Sequence, residues 1–141
     1  IKMIKKKAVK KTNPRVLKRV RKLGGKSLPK KIKIGYRDIV IEYVRPDFKT
    51  DEMTDAFGQY KNREGKIQIQ FNLCGQELTN TIVHECLHAA VYGSGLNQAD
   101  SPLKEEDKEE IVVNQLTNYL MGIFRDNKWF LDFIKNNMNK S

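Results

Sequence analysis

The chain has 141 residues, of which 39% are hydrophobic and 31% charged, and its formal net charge is +10. That length suits one domain whose core can stand without disulfides. Two cysteines, Cys74 and Cys86, make no disulfide framework, and no apolar run approaches the ~20 residues that a membrane-spanning helix requires.

The charge is unevenly spread. Residues 1–31 hold 14 Lys or Arg and no Asp or Glu, which leaves 13 basic and 17 acidic groups for residues 32–141. The expected organisation is therefore a basic N-terminal arm, 1–31, on a mildly acidic domain, 32–141. Within the arm, Val16, Leu17, Val20 and Leu23 fall at helical spacing after Asn13-Pro14, and Gly24-Gly25 ends the run. Such an arm suits electrostatic attachment to nucleic acid or another polyanion, and equally a solvated tail, since it has no aromatic residue to stack on bases. Gly25-Lys26-Ser27 resembles the end of a phosphate loop, but Val20 stands where its first glycine belongs and no buried strand leads in.

The domain opens with β-like patterning. Lys31-Ile32-Lys33-Ile34 alternates, and residues 38–44 are rich in β-branched and aromatic side chains, so one or two strands are expected. Arg45-Pro46-Asp47 breaks the run, and residues 47–56 read as a polar loop. A strand over 56–60, a turn at Asn62–Gly65 with Gly65 at positive φ, and a strictly alternating strand over 66–71 make a hairpin. One face of that hairpin suits backbone pairing with an extended peptide.

A helix follows, from about Gln76 to Tyr92, with Gly93 and Gly95 as stop signals. It carries His84-Glu85-Cys86-Leu87-His88, an H-E-x-x-H pattern built from the only two histidines in the chain. Residues four apart share a helix face, so both imidazoles can close on one zinc ion, with Glu85 beside it as general base. The apolar flanks Ile82, Val83, Leu87, Ala89 and Ala90 suit a buried helix more than a surface helix with chance histidines. Cys86 falls away from the metal face and reads as a small buried residue, and a Cys74–Cys86 bridge stays open.

Ser101-Pro102 looks like the start of the next helix, with acidic residues favoured near its positive end. Ile111, Val112, Val113, Leu116, Leu120, Ile123 and Phe124 give it a 3.6-residue period as far as Arg125. After Asp126-Asn127, the apolar segment Trp129–Ile134 reads as a short helix packed on the domain. The expected fold is α+β: a small antiparallel or mixed sheet on the H-E-x-x-H helix and a second long helix.

A hydrolytic zinc needs three protein ligands and one position for water. There is no third histidine, and the longer H-E-x-x-H-x-x-G-x-x-H pattern fails at Val91 and Ser94. The third ligand must then be a carboxylate from the cluster Glu105, Glu106, Asp107, Glu109 and Glu110, or failing that Cys74. By periodicity Glu109 lies in the middle of the apolar stripe with Val112, Val113, Leu116 and Leu120. Glu110 lies at its edge with Val113, Asn114 and Thr117.

His84-Glu85-Cys86-Leu87-His88-Ala89, the segment Glu110–Leu120 and Arg125-Asp126-Asn127 together resemble the small zinc metallopeptidases of phages and prophages. Those are distantly related to the ImmA/IrrE group and to the gluzincins. The likeness covers roughly 30–128 and leaves out the arm. In the ImmA/IrrE group the ligand Glu is followed at +4 by Asn and at +7 by a small residue. Asn114 and Thr117 match this for Glu110, so the resemblance implies His84, His88 and Glu110 as Zn²⁺ ligands and Glu85 as catalytic base, with Glu109 the rival third ligand. Val113 departs from the Ala of that group. The implied activity is peptide hydrolysis on a protein or peptide substrate, in the host cytoplasm or in a virion. The competing expectation is a nucleic-acid-associated or virion structural protein that keeps the fold without the chemistry.

Overall fold

The computed structural model describes residues 28–45 and 57–140. The helix read after Pro14 and the loop read at 47–56 lie outside those residues, apart from the arm's last four positions.

Strands β1 (Lys31–Ile34) and β2 (Arg37–Val44) form an antiparallel hairpin, with Ile34 opposite Arg37. Gly35, at φ 62°, takes the first position of the two-residue turn, where a primed hairpin turn needs a positive φ. Strands β3 (Gly58–Lys61) and β4 (Lys66–Gln70) form the second hairpin, closed as expected by a positive-φ Gly65. The two hairpins join through β2 and β4, which run parallel, so the sheet is mixed in the order β1-β2-β4-β3. Among the described residues β3 is therefore an edge strand.

The alternation in β2 and β4 sorts the two faces. Ile39, Ile41, Ile67 and Ile69 are buried on one side together with Leu73. Each such side chain contributes about 1.5–3 kcal/mol by leaving water. The opposite face is polar: Lys66 Nζ lies 3.2 Å from Glu42 Oε2 and 2.9 Å from Glu64 Oε2.

Helix α1 (Gly75–Ser94) lies across the apolar face, packing Leu78, Ile82 and Cys86 against the isoleucines. It runs through Gly93 and stops at Gly95, whose φ of 80° makes the left-handed cap. Of the two stop-signal glycines only Gly95 takes a positive φ; Gly93 stays helical at a propensity cost of ~1 kcal/mol relative to Ala. Cys74 is exposed, Cys86 is half-buried, and both are free thiols.

Helix α2 (Glu106–Asp126) begins later than Ser101-Pro102 suggests. Residues 98–104 close turns instead, with the Ser101 N–H on Gln98 O and the Lys104 N–H on Ser101 O. The first helical turn is where the acids are, Glu106, Asp107 and Glu109, near the unpaired N–H groups. The buried positions of α2 are Val113 and Thr117, whereas Leu116 is 53% exposed and Ile111 56%. The apolar period thus misplaces the inward stripe by about one residue, because α2 rests on a single helix, α1, and needs only a narrow contact. Helix α3 (Lys128–Asn137) folds back on the end of α2, where Phe124 and Phe130 meet at 6.1 Å between ring centroids. The layers are thus sheet, α1, α2, with α1 in the middle. No helix among the described residues is long and apolar enough to cross a membrane.

Candidate metal centre

A helix packed on both sides must carry two kinds of surface. On α1 the face toward the sheet is apolar, and the face toward α2 carries His84 and His88 one turn apart. Glu110 of α2 meets them. Its Oε1 is 3.0 Å from His84 Nε2, its Oε2 is 2.9 Å from His88 Nε2, and the two imidazole nitrogens are 3.1 Å apart. In a tetrahedral zinc site with bonds of 2.0–2.1 Å, ligand atoms sit about 3.3 Å from one another. The three side chains therefore converge at nearly ligand-to-ligand spacing, and as a group they could hold a metal ion.

Glu109 is turned the other way. Its Oε2 lies 3.0 Å from His88 Nδ1, on the far side of the ring from Glu110. With an ion on Nε2, the proton of a neutral His88 would sit on Nδ1 and be donated to Glu109. That leaves a lone pair on Nε2 aimed at a carboxylate oxygen of Glu110 and at His84. Facing lone pairs at such distances repel unless a cation or an extra proton lies among them, so the donor set fits a metal. Adjacent carboxylates on α2 thus separate by role: Glu110 joins the histidine pair and Glu109 fixes one ring. The other Glu109 oxygen, Oε1, is buried without a hydrogen-bond partner among the described residues. Cys74 takes no part, because it precedes His84 by ten residues, about 15 Å along the axis.

Glu85 points toward β3. It is 5% exposed, and burial raises its carboxyl to about 7; the His88 charge and a backbone hydrogen bond from Tyr60 oppose the rise. Burial also holds His84 below the usual imidazole value, against the pull of Glu110. His84, Glu85, His88 and Glu110 all open into one cavity of about 510 Å³ between α1, α2 and β3.

Gly58, Tyr60 and Tyr92 line the same cavity, and sequence patterns single out none of them. Gly58 is there for space: a Cβ would meet Thr81 Cγ2 at 2.8 Å and Gln68 O at 2.9 Å. The alternation of β3 and the i, i+4, i+8 spacing of His84, His88 and Tyr92 are the signals that place the two tyrosines. The Tyr60 hydroxyl donates to Asn62 Oδ1 at 3.0 Å, and Asn62 also receives two bonds from Arg37, on Oδ1 at 3.0 Å and on its carbonyl at 2.9 Å. No protein-family model, curated protein or solved structure matches the chain.

Proposed function

We propose that this protein is a zinc-dependent peptidase of the kind carried by phages and prophages, acting on a protein or peptide. The observation that carries this is the meeting of His84, His88 and Glu110 at 2.9–3.1 Å, with the buried acid Glu85 opening into the same cleft. A purely structural metal site has no use for Glu85. Zinc, when bound, supplies Lewis acidity and brings the pKa of a water toward ~7. Glu85, buried beside the histidine pair, would be the group that accepts the proton of the attacking water and passes it to the leaving amine. Glu109 holds the His88 ring in the orientation and tautomer that present Nε2. Gly58 and Tyr60 are the residues of β3 whose backbone faces away from β4, because Phe57 and Gln70 form a hydrogen-bonded pair and the pairing alternates. The Tyr60 N–H goes to Glu85, which ties the base to the strand; an extended peptide laid along this edge would have its backbone beside the acid.

The test is zinc-loaded protein incubated with a peptide library and read by mass spectrometry. Wild type cleaves; Glu85→Gln keeps its zinc and does not. Cleavage by Glu85→Gln, or zinc content unaltered by His88→Ala, refutes the assignment.

The basic arm favours a second role, attachment to nucleic acid, which is compatible with the first. Retention on DNA that weakens steeply with salt and disappears on deleting residues 1–31 supports it. DNA retention without peptide cleavage by the intact chain favours the structural alternative.

A further inference from the structure

Helix α2 carries a second apolar stripe, left open to solvent among the described residues. Val112, Leu116, Tyr119 and Ile123 recur at i, i+4, i+7 and i+11, so they share one face of the helix. Leu116 is 53% exposed, Tyr119 79% and Ile123 42%. Glu110 and Asn114 line the metal cleft on the β3 side. The stripe lies on the opposite flank of α2, and in a sheet ordered β1-β2-β4-β3 that is the β1 side.

The chain enters the domain on that same side. Lys31 opens β1 opposite Val40, and β2 runs on from there to Val44, which pairs with Gln70 at the end of β4. Gly75 starts α1 just beyond. Helix α2 runs antiparallel to α1, since Glu110 meets His88 and Asn118 meets Asn80 at 3.1 Å. The entry of the chain, the start of α1 and the end of α2 are therefore at one end of the molecule. The Tyr43 hydroxyl fixes the entry there by donating to Pro29 O at 2.7 Å. From Pro29 back to Leu23 is six residues, which span up to about 20 Å. That is enough to pass α1 and reach α2 at helix spacings of about 8–10 Å.

The 27 residues before Leu28 contain a matching stretch. Val16, Leu17, Val20 and Leu23 share a face in the helix expected after Asn13-Pro14, and basic residues from Arg15 to Lys22 occupy the rest of it. Charge selects this partner over a second copy of the chain. Residues 105–126 hold six acidic and two basic groups, so two α2 helices side by side repel, whereas the arm has no acid at all. The direction of entry lays the arm parallel to α2, with Leu23 beside Ile123 and with Val20 and Val16 beside Leu116 and Val112. Lys10 and Lys11 then reach the level of Glu105, Glu106 and Asp107, the acids at the start of α2.

We infer that residues 14–23 dock as an amphipathic helix on the Val112–Ile123 stripe, so that the arm is a strap along α2 with its basic face outward. The inference stands apart from the peptidase reading.

The test is disulfide trapping in the full chain at low protein concentration, with bonds located by peptide mapping so that Cys74 and Cys86 stay in place. Leu23→Cys combined with Ile123→Cys gives a bond within the monomer. Leu23→Cys combined with Asn118→Cys, on another flank of α2, gives none. Trypsin reads the same contact without new cysteines: the bonds after Arg15 to Lys22 are cut about tenfold or more slower in wild type than in Leu116→Asp. Tyr119→Asp is the second variant should circular dichroism show the first to be misfolded. A bond at both cysteine positions or at neither overturns the docking, as does one trypsin rate for wild type and both variants. A covalent dimer formed by Ile123→Cys alone gives the stripe to a second copy and overturns it too.

Discussion

Glu109 and Glu110 are neighbours on one helix, and the structure gives them opposite sides of His88. The two can be told apart by metal affinity. Zinc binding worth about 10–16 kcal/mol, shared among four ligands, gives about 2.5–4 kcal/mol for each, which is about 70-fold to nearly a thousandfold in affinity. Glu110→Gln removes the anionic ligand that touches both rings at 2.9 and 3.0 Å, so a loss of that size is expected. Glu109 acts through one hydrogen bond of 3.0 Å to His88 Nδ1, and such outer partners contribute about 10–100-fold. Glu109→Leu should fall in that range. Glu109→Gln keeps an oxygen that can accept from Nδ1 and should lose less than Glu109→Leu. Competition against a chromophoric chelator at fixed pH measures all three constants. The reasoning fails if Glu109→Gln costs more than Glu110→Gln, because Glu109 would then be the ligand. It also fails if Glu109→Leu binds zinc as tightly as wild type.

The other predictions follow from single contacts. Gly58→Ala pushes a methyl into Thr81 and into the Gln68 carbonyl, so stability should drop by about 1–3 kcal/mol, seen as a lower urea midpoint. Adding Thr81→Ser removes the methyl at 2.8 Å but not the backbone oxygen at 2.9 Å, so rescue should be partial; full wild-type stability of Gly58→Ala refutes the packing argument. Ile67→Ala empties a fully buried site between sheet and α1 and should cost about 2–5 kcal/mol by the same assay. Burial raises the half-buried Tyr43 from 10 to about 12. Its neutral form is the one the folded state prefers, so stability is lost as pH rises from 10 to 12, by about 1 kcal/mol after solvent screening. Tyr43→Phe should flatten that part of the alkaline unfolding profile.

Periodicity made the elements legible, and tertiary geometry decided their arrangement. The alternation of Lys66-Ile67-Gln68-Ile69-Gln70 was enough to assign a strand with one buried face, and Ile67 and Ile69 are indeed wholly buried. It could not tell that β4 would insert beside β2 and run parallel to it, because register and neighbour are settled by long-range packing. Gly65 was readable from its turn; Gly93 and Gly95 looked alike in sequence, and only the backbone conformation separates a helical glycine from the cap. On α2, Leu116 follows the apolar period and faces outward, while Thr117 is buried with its hydroxyl donating to Val113 O at 2.7 Å. A threonine that satisfies its own hydroxyl within the helix passes for an apolar residue, which a hydropathy pattern cannot register.

The site was legible to the extent that its residues lie on α1. His84, Glu85 and His88 are fixed relative to one another by helix geometry alone, whatever surrounds them. The carboxylate from α2 depends on the rotation of one helix against another, and a shift of one residue turns a helix by about 100°. Val113 and Thr117 set that rotation by filling the contact with α1, and Glu110 lies three residues before Val113 on the same face. Glu109, one residue back, reaches the Nδ1 side of the His88 ring and is the more buried of the two. Which glutamate meets the histidine pair is thus a consequence of which small residues bury between the helices. A substitution that rolled α2, such as Thr117→Leu, should exchange or scramble the roles of the two glutamates while leaving both helices intact.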